Sequence, residues 1–214
     1  MASSPSDPVG GATGADPNRS PARPVPTAIK LLVAGGFGVG KTTLVAAVSE
    51  IMPLQTEEVL TDAGTDSDDT FGVETKAATT VAMDFGRITI GNDLVLYLFG
   101  TPGQDRFWFL WDELALGALG AVVLADTRRL EDCFPSIDYF ETRGTPFLVA
   151  VNCFNGEQKY EVVAVRAALN LDPHVPVVLC DARDRQSGKQ VLITLIEHIR
   201  VMARQRRAAQ PVTA

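Results

Sequence analysis

The stretch Gly35-Gly36-Phe37-Gly38-Val39-Gly40-Lys41-Thr42 satisfies the pattern G-x-x-x-x-G-K-[ST] in full. Directly before it, Thr27 to Ala34 is a short apolar run bounded by glycines, the mark of a buried parallel strand. Directly after it, Thr42 to Ile51 reads as a helix. A strand that turns through glycines into a helix aims consecutive backbone N–H groups inward beside the positive helix terminus, which makes a cradle for phosphate. Lys41 is placed to reach the β- and γ-phosphates of a nucleotide, and the Thr42 hydroxyl to take a place on Mg²⁺. Gly35, Phe37, Gly38, Val39, Gly40 and Thr43 complete the expected phosphate contacts.

The segments that follow extend this start into a fold class. Val81 to Ile90 and Leu94 to Phe99 flank the turn cluster Gly91-Asn92-Asp93 and are expected to pair as an antiparallel hairpin. Ala121–Ala125, Phe147–Val151 and Val175–Leu179 are three more short apolar strands, separated by helical segments near Leu130–Thr142, Tyr160–Leu169 and Gln186–Arg204. In the last helix Val191, Leu192, Leu195, Ile196, Ile199 and Met202 recur at helical spacing and mark its buried face. This alternation implies a three-layer α/β/α domain with a mostly parallel six-stranded sheet and one antiparallel hairpin strand. The domain is expected to span residues 27–205. Residues 1–26, dense in Pro, Gly, Ser and Ala, are expected to form a disordered tail, and residues 206–214 a flexible one. Pro53 to Thr80 is a long polar stretch with neither period, as expected of a functional loop.

Bulk composition narrows the partners. A formal charge of −7 argues against a non-specific nucleic-acid binder. Three cysteines, Cys133, Cys153 and Cys180, are too few for a disulfide framework and read as buried thiols of a reducing compartment. No apolar run is long enough to span a membrane, so the expected location is cytoplasmic, with any membrane contact indirect, through partners.

Further motifs follow in order. Thr80-Val81-Ala82-Met83-Asp84-Phe85 resembles the switch I end of the Ras/Rab-type small GTPases. Gly100-Thr101-Pro102-Gly103-Gln104-Asp105 resembles their second switch. Val149-Ala150-Val151-Asn152-Cys153-Phe154-Asn155 resembles the strand and base-reading N-K-x-D motif, and Cys180-Asp181-Ala182-Arg183 falls where these proteins have S-A-K. The resemblance covers about residues 28–204 and is nearest to the prokaryotic small GTPases of the conservon type, relatives of MglA. It implies a GTP/GDP switch with Mg²⁺, fold included. On that reading Thr80 closes over the γ-phosphate and joins Thr42 on the metal, and the Gly103 amide contacts the γ-phosphate. Gln104 orients the attacking water and, with Lys41, forms the catalytic pair. Asn152, Asn155, Asp181, Ala182 and Arg183 hold the base.

Four departures bear on activity. Gly100 replaces the aspartate that ordinarily supports the metal, a loss typically costing about 10- to 100-fold. Asp84 or the acidic stretch Asp66-Ser67-Asp68-Asp69 could stand in, although Asp84 reads as a surface strand position. Phe37 stands where glycine is usual beside the γ-phosphate, so intrinsic hydrolysis is expected to be slow. Asn155 replaces an aspartate and sets one donor against a guanine donor, a geometry better suited to xanthine. Cys153 replaces the lysine that packs on the base. The Ala182 amide, facing a six-position oxygen, keeps guanine ahead of adenine.

Phe107, Trp108, Phe109 and Trp111 crowd the segment after Gln104 and offer a state-dependent surface, and the resemblance implies a roadblock-type regulatory protein there, within a larger signalling complex. Two other readings stay open: a non-hydrolysing nucleotide-binding scaffold, and a P-loop ATPase or kinase, including relaxed choice between GTP, ATP and XTP.

Overall fold

The computed structural model describes residues 26–60, 79–103 and 109–209. Within them seven strands form one sheet: β1 (Thr27–Gly35), β2 (Leu54–Leu60), β3 (Thr79–Ile90), β4 (Leu94–Gly100), β5 (Ala118–Ala125), β6 (Phe147–Asn152) and β7 (Val177–Cys180). Their order is β2-β3-β4-β1-β5-β6-β7. The helices are α1 (Lys41–Val48), α2 (Phe109–Ala115), α3 (Phe134–Arg143), α4 (Val162–Ala168) and α5 (Arg185–Ala209). β4, β1, β5, β6 and β7 are parallel, and β3 alone runs against its neighbours.

All six strands expected from sequence are present, as is the three-layer arrangement. The seventh strand, β2, starts inside the stretch that shows no period. Among the described residues it pairs only with β3, so it is an edge strand there, free of the need for an apolar face on both sides that makes central strands legible. At the other end, residues 206–209, expected to be tail, continue α5 instead. Arg206, Arg207, Ala208 and Ala209 are strong helix formers, and Arg206 donates to the Gly144 carbonyl across the end of the domain. Most of the expected N-terminal tail, the acidic stretch at residues 66–69, Gln104, Phe107 and Trp108 lie outside the described residues.

Alternation along the parallel strands builds two cores. Leu31 and Val33 of β1, Val122 and Leu124 of β5, and Leu148 and Ala150 of β6 face Leu44, Val45 and Val48 of α1 and Val191, Leu192 and Leu195 of α5. Leu32, Val123, Val149 and Val151 point the other way, onto Trp111 and Leu114 of α2, Ile137 and Phe140 of α3, and Val165 of α4. Burial of a side chain of this size contributes roughly 1.5–3 kcal/mol, so the two clusters fix the sheet between its helices. Trp111 belongs to this packing: it is 2% exposed and meets the Tyr139 ring edge-on at 5.1 Å. It therefore drops out of the expected partner surface, whereas Phe109 stays outside at 61% exposure. Cys133 and Cys180 are buried as expected, with burial pushing both thiols up to about 12, but Cys153 is only half-buried.

Candidate nucleotide site

Because β1, β5, β6 and β7 are parallel, their C-terminal ends open on one edge of the sheet, where ligand sites of such folds are built. β1 ends in Gly35, and the loop to α1 needs a left-handed backbone at Gly35 (φ 131°), Gly38 (φ 72°) and Gly40 (φ 109°). Side chains there would be strained, and at Gly35 a Cβ would also lie 2.3 Å from the Leu124 carbonyl oxygen. Arg129 braces the loop from β5's side by donating to the Phe37 carbonyl at 2.9 Å.

Lys41 is 9% exposed, and its Nζ donates back to the loop carbonyls of Gly35 at 2.9 Å and Gly36 at 2.7 Å. Burial lowers its pKa to about 8, partly countered by the Asp84 carboxylate. Gly103 closes over the same ammonium. A Cβ on it would fall 2.5 Å from Lys41 Nζ and 3.0 Å from the Phe37 amide nitrogen. Gly103→Ala is therefore expected to push Lys41 off its position and weaken nucleotide binding by about tenfold or more. Equilibrium binding of a fluorescent nucleotide measures this, and unchanged affinity would show that the contact is slack.

The Thr42 hydroxyl donates to Asp84 Oδ2 at 2.7 Å. Asp84 is 6% exposed, so the expectation of a surface position is corrected: it points into the site. It stands opposite Gly100 in the β3–β4 register, and a Cβ at Gly100 would lie 2.8 Å from Asp84 Oδ2 and 3.0 Å from its Cβ. Gly100 is thus small because Asp84 fills its place. A carboxylate from the neighbouring strand thus occupies the space that a side chain at position 100 would take. Thr80 lies on the same strand, opposite Val59, while its side chain and all of Gln104 are outside the described residues.

Asn152 ties the two ends of the site together. Its Nδ2 donates to the Val39 carbonyl at 2.9 Å and its Oδ1 accepts from the Ala182 amide at 3.1 Å. The Ala182 N–H expected to face a base is accordingly engaged by Asn152. Arg183 is held by Asp181 and reaches Asn155 Oδ1 at 3.3 Å, which joins the last of the expected base-side residues. Asp181 is held below the usual carboxylate range by the hydrogen bonds from Arg183.

Sequence reasoning missed Asp126, Arg128 and Phe154, which wall the base side. Arg128 binds the 4%-exposed Asp126 through Nε at 2.9 Å and Nη2 at 2.7 Å, and its guanidinium covers the Phe154 ring at 4.1 Å from the centroid. The available signal was topological: Asp126-Thr127-Arg128 is the polar break at the C-terminal end of a parallel strand.

The donor set at Thr42 and Asp84 is hard oxygen, with one carboxylate, which fits Mg²⁺ held jointly with phosphate oxygens. The phosphate loop, a buried lysine beside it and a hydroxyl–carboxylate pair can together hold a metal–polyphosphate.

Solved structures share this fold. They include the cytosolic domain of the FeoB iron transporter of T. maritima, with TM-score 0.57 and 16% identity over 81% of this chain. This chain spans 64% of that domain, less than two thirds of its length. The G domain of the same transporter aligns at TM-score 0.55 and 17% identity, covering 80% of this chain and 99% of that one. The FeoB G-domain from Methanococcus jannaschii aligns at 0.54 and 14%, covering 81% and 98%. At these identities the likeness is one of fold, a P-loop GTPase-like G domain. In sequence, the uncharacterized protein MJ1339 of Methanocaldococcus jannaschii is 31% identical over 126 residues, which is 58% of this chain and 69% of that protein. The model of the family described as "conserved hypothetical ATP binding protein" matches residues 33–201, which hold the phosphate loop, Asp84, Asn152 and the Asp181–Arg183 turn. With most of its length and all of this site inside that match, the chain belongs to the conserved hypothetical ATP binding proteins, on a P-loop GTPase-like fold.

Proposed function

We propose that this chain is a nucleoside-triphosphate switch that binds its nucleotide with Mg²⁺ and hydrolyses it slowly. The observation that carries the reading is the Thr42–Asp84 hydrogen bond at 2.7 Å beside the buried Lys41, in front of the glycine loop. Lys41 neutralises and positions the β- and γ-phosphates in place of the Gly35 and Gly36 carbonyls it now binds. Thr42 and Asp84 would hold the metal, with the Thr42 hydroxyl oriented by its hydrogen bond to Asp84. The metal, when bound, shields the charge that develops between the phosphates. The Gly103 amide meets the terminal phosphate, Thr80 closes from β3, and Gln104 orients water. Phe37, 64% exposed at the rim, crowds the approach to that phosphate and keeps turnover low.

The likeness to conservon-type, MglA-related proteins supports GTP as ligand and a roadblock-type regulator as partner. Phe109, mostly exposed in the segment after Gln104, offers that partner an aromatic contact that responds to the nucleotide. Membrane association on this reading is through partners. No helix among the described residues is long and apolar enough to cross a membrane.

The test is to titrate fluorescent GTP, ATP and XTP onto the purified chain with and without Mg²⁺, then follow phosphate release with and without candidate partners. Metal-dependent binding followed by slow release is expected. Tight binding without release under every condition would favour a scaffold, and no binding would overturn the proposal.

A further inference from the structure

The base side is short of one side chain, since Cys153 stands where a lysine stem would pack on the base. The Cys153 thiol turns back along its own strand, toward the Val151 carbonyl at 3.8 Å, so it supplies no stem for a ring to lie on. The loop after β5 reaches the same place from the other side. Asp126, 4% exposed, grips Arg128 through Nε at 2.9 Å and Nη2 at 2.7 Å, and also accepts from the Arg128 amide at 2.9 Å. Charge-assisted bonds from two nitrogens to one buried carboxylate fix the plane of the guanidinium. One face of that plane lies on the half-buried Phe154 ring, 4.1 Å from its centroid. The Arg128 side chain is 54% exposed, so the opposite face is open. Arg128 and Phe154 line one cavity of about 140 Å³ together with Asn152 and Asn155. That volume is too small to enclose a whole ligand and suits part of one, such as a ring system.

We propose that Arg128, backed by Phe154 and oriented by Asp126, is the surface on which the nucleobase stacks, in place of the missing lysine stem. The inference rests on the nucleotide-binding reading above and deepens it by naming what holds the base. A guanidinium is planar and weakly hydrated, and it stacks face to face on rings, which an ammonium cannot do. With Phe154 on one face, a purine on the other completes a three-layer stack. Asp126 acts as the positioning residue. Because it already fixes the guanidinium, Arg128 loses little rotamer freedom when the base arrives, and most of the stacking energy goes into binding. Every purine offers such a face, so this contact holds the base without reading its edge. The preference for one purine over another is set by other groups, and the GTP reading is unaffected.

Competition binding on the full chain with Mg²⁺ tests this, using a ribose-labelled fluorescent GTP as reporter and unlabelled GTP, ATP and inorganic tripolyphosphate as competitors. Arg128→Gln keeps a donor for Asp126 but loses the guanidinium plane, and Phe154→Leu keeps an apolar backing but loses the ring. Each is expected to weaken GTP and ATP by a similar factor of about fivefold or more, the scale of one stacked base. Tripolyphosphate, which reads the phosphate loop alone, is expected to bind as before, which also shows that the variants are folded. Asp126→Asn, which loosens the guanidinium, is expected to give a smaller loss of the same kind. Nucleotide affinities unaltered in both Arg128→Gln and Phe154→Leu would overturn the inference and leave Asp126–Arg128 a structural pair. A loss shared by tripolyphosphate in both variants would overturn it by assigning the two residues to support of the phosphate loop. A loss confined to one purine would overturn it by showing that the edge of the base is read. In each of these cases nucleotide binding by the parent stands, whereas a parent that binds neither nucleotide nor tripolyphosphate ends that reading as well.

Discussion

Replacing Lys41 by methionine is expected to weaken nucleotide binding by on the order of 100-fold or more and, at the same time, to stabilise the free protein. The two effects share one cause. Lys41 is an ammonium almost out of contact with water, held by two loop carbonyls and felt by the Asp84 carboxylate only through its charge, and it keeps its charge at the expense of the fold. Its pKa falls from 10.5 to about 8, with burial as the main cause. Below about pH 8 it is charged in both the folded and unfolded chain, and the folded state bears the whole desolvation penalty. Between about pH 8 and 10.5 the unfolded chain binds more protons, so this site makes stability rise with pH across that window. A shift of this size corresponds to at most about 3 kcal/mol. Methionine keeps the packed stem, loses the charge, and leaves two carbonyls to find water, so part of that amount is expected to be recovered. Urea unfolding at pH 7 measures it, and a variant less stable than the parent would contradict the account.

The second large effect concerns the carboxylate on β3. Asp84→Ala is expected to remove most of the Mg²⁺-dependent gain in nucleotide affinity, about 10- to 100-fold by the usual scale for a group that orients a metal ligand. Gly100→Asp alone is expected to destabilise the protein by about 1–3 kcal/mol, because its Cβ would enter the space of Asp84. The double change Asp84→Gly with Gly100→Asp removes that clash and returns a carboxylate to the same place from the adjacent strand. It is expected to recover stability and most of the metal dependence. Titrations with and without Mg²⁺, paired with urea unfolding, separate the outcomes. A double variant no better than Asp84→Ala would show that the two strand positions are not equivalent.

How much of this was readable beforehand depended on the kind of signal. The phosphate loop was legible because glycine, lysine and threonine are required by backbone conformation and charge at fixed spacing. The central strands were legible because burial on both faces leaves continuous apolar runs such as Val122 to Leu124. β2 was not, since an edge strand carries no such requirement. Asp84 was misplaced because alternation assigns a face without saying what covers it, and only the β3–β4 register sets it against Gly100. The same limit hid the base-side network. Asn155 showed its polarity in sequence, but its hydrogen bond from Arg183, 28 residues further along the chain, did not show.

The hairpin turn at residues 91–93 lies several residues from Asp84, roughly 20 Å along an extended strand, yet it governs where that carboxylate points. Side chains on a strand change face with every residue, so slipping β3 by one position against β4 would send Asp84 to the opposite side of the sheet and leave Gly100 facing a gap. The turn's exit is pinned by the Thr27 amide, which donates to the Asp93 carbonyl at 2.7 Å and locks the hairpin to β1, the strand that leads into the phosphate loop. The distal hairpin is thus an alignment device for the Thr42–Asp84 pair, and an insertion in it would be felt at the phosphate loop before it was felt in the core.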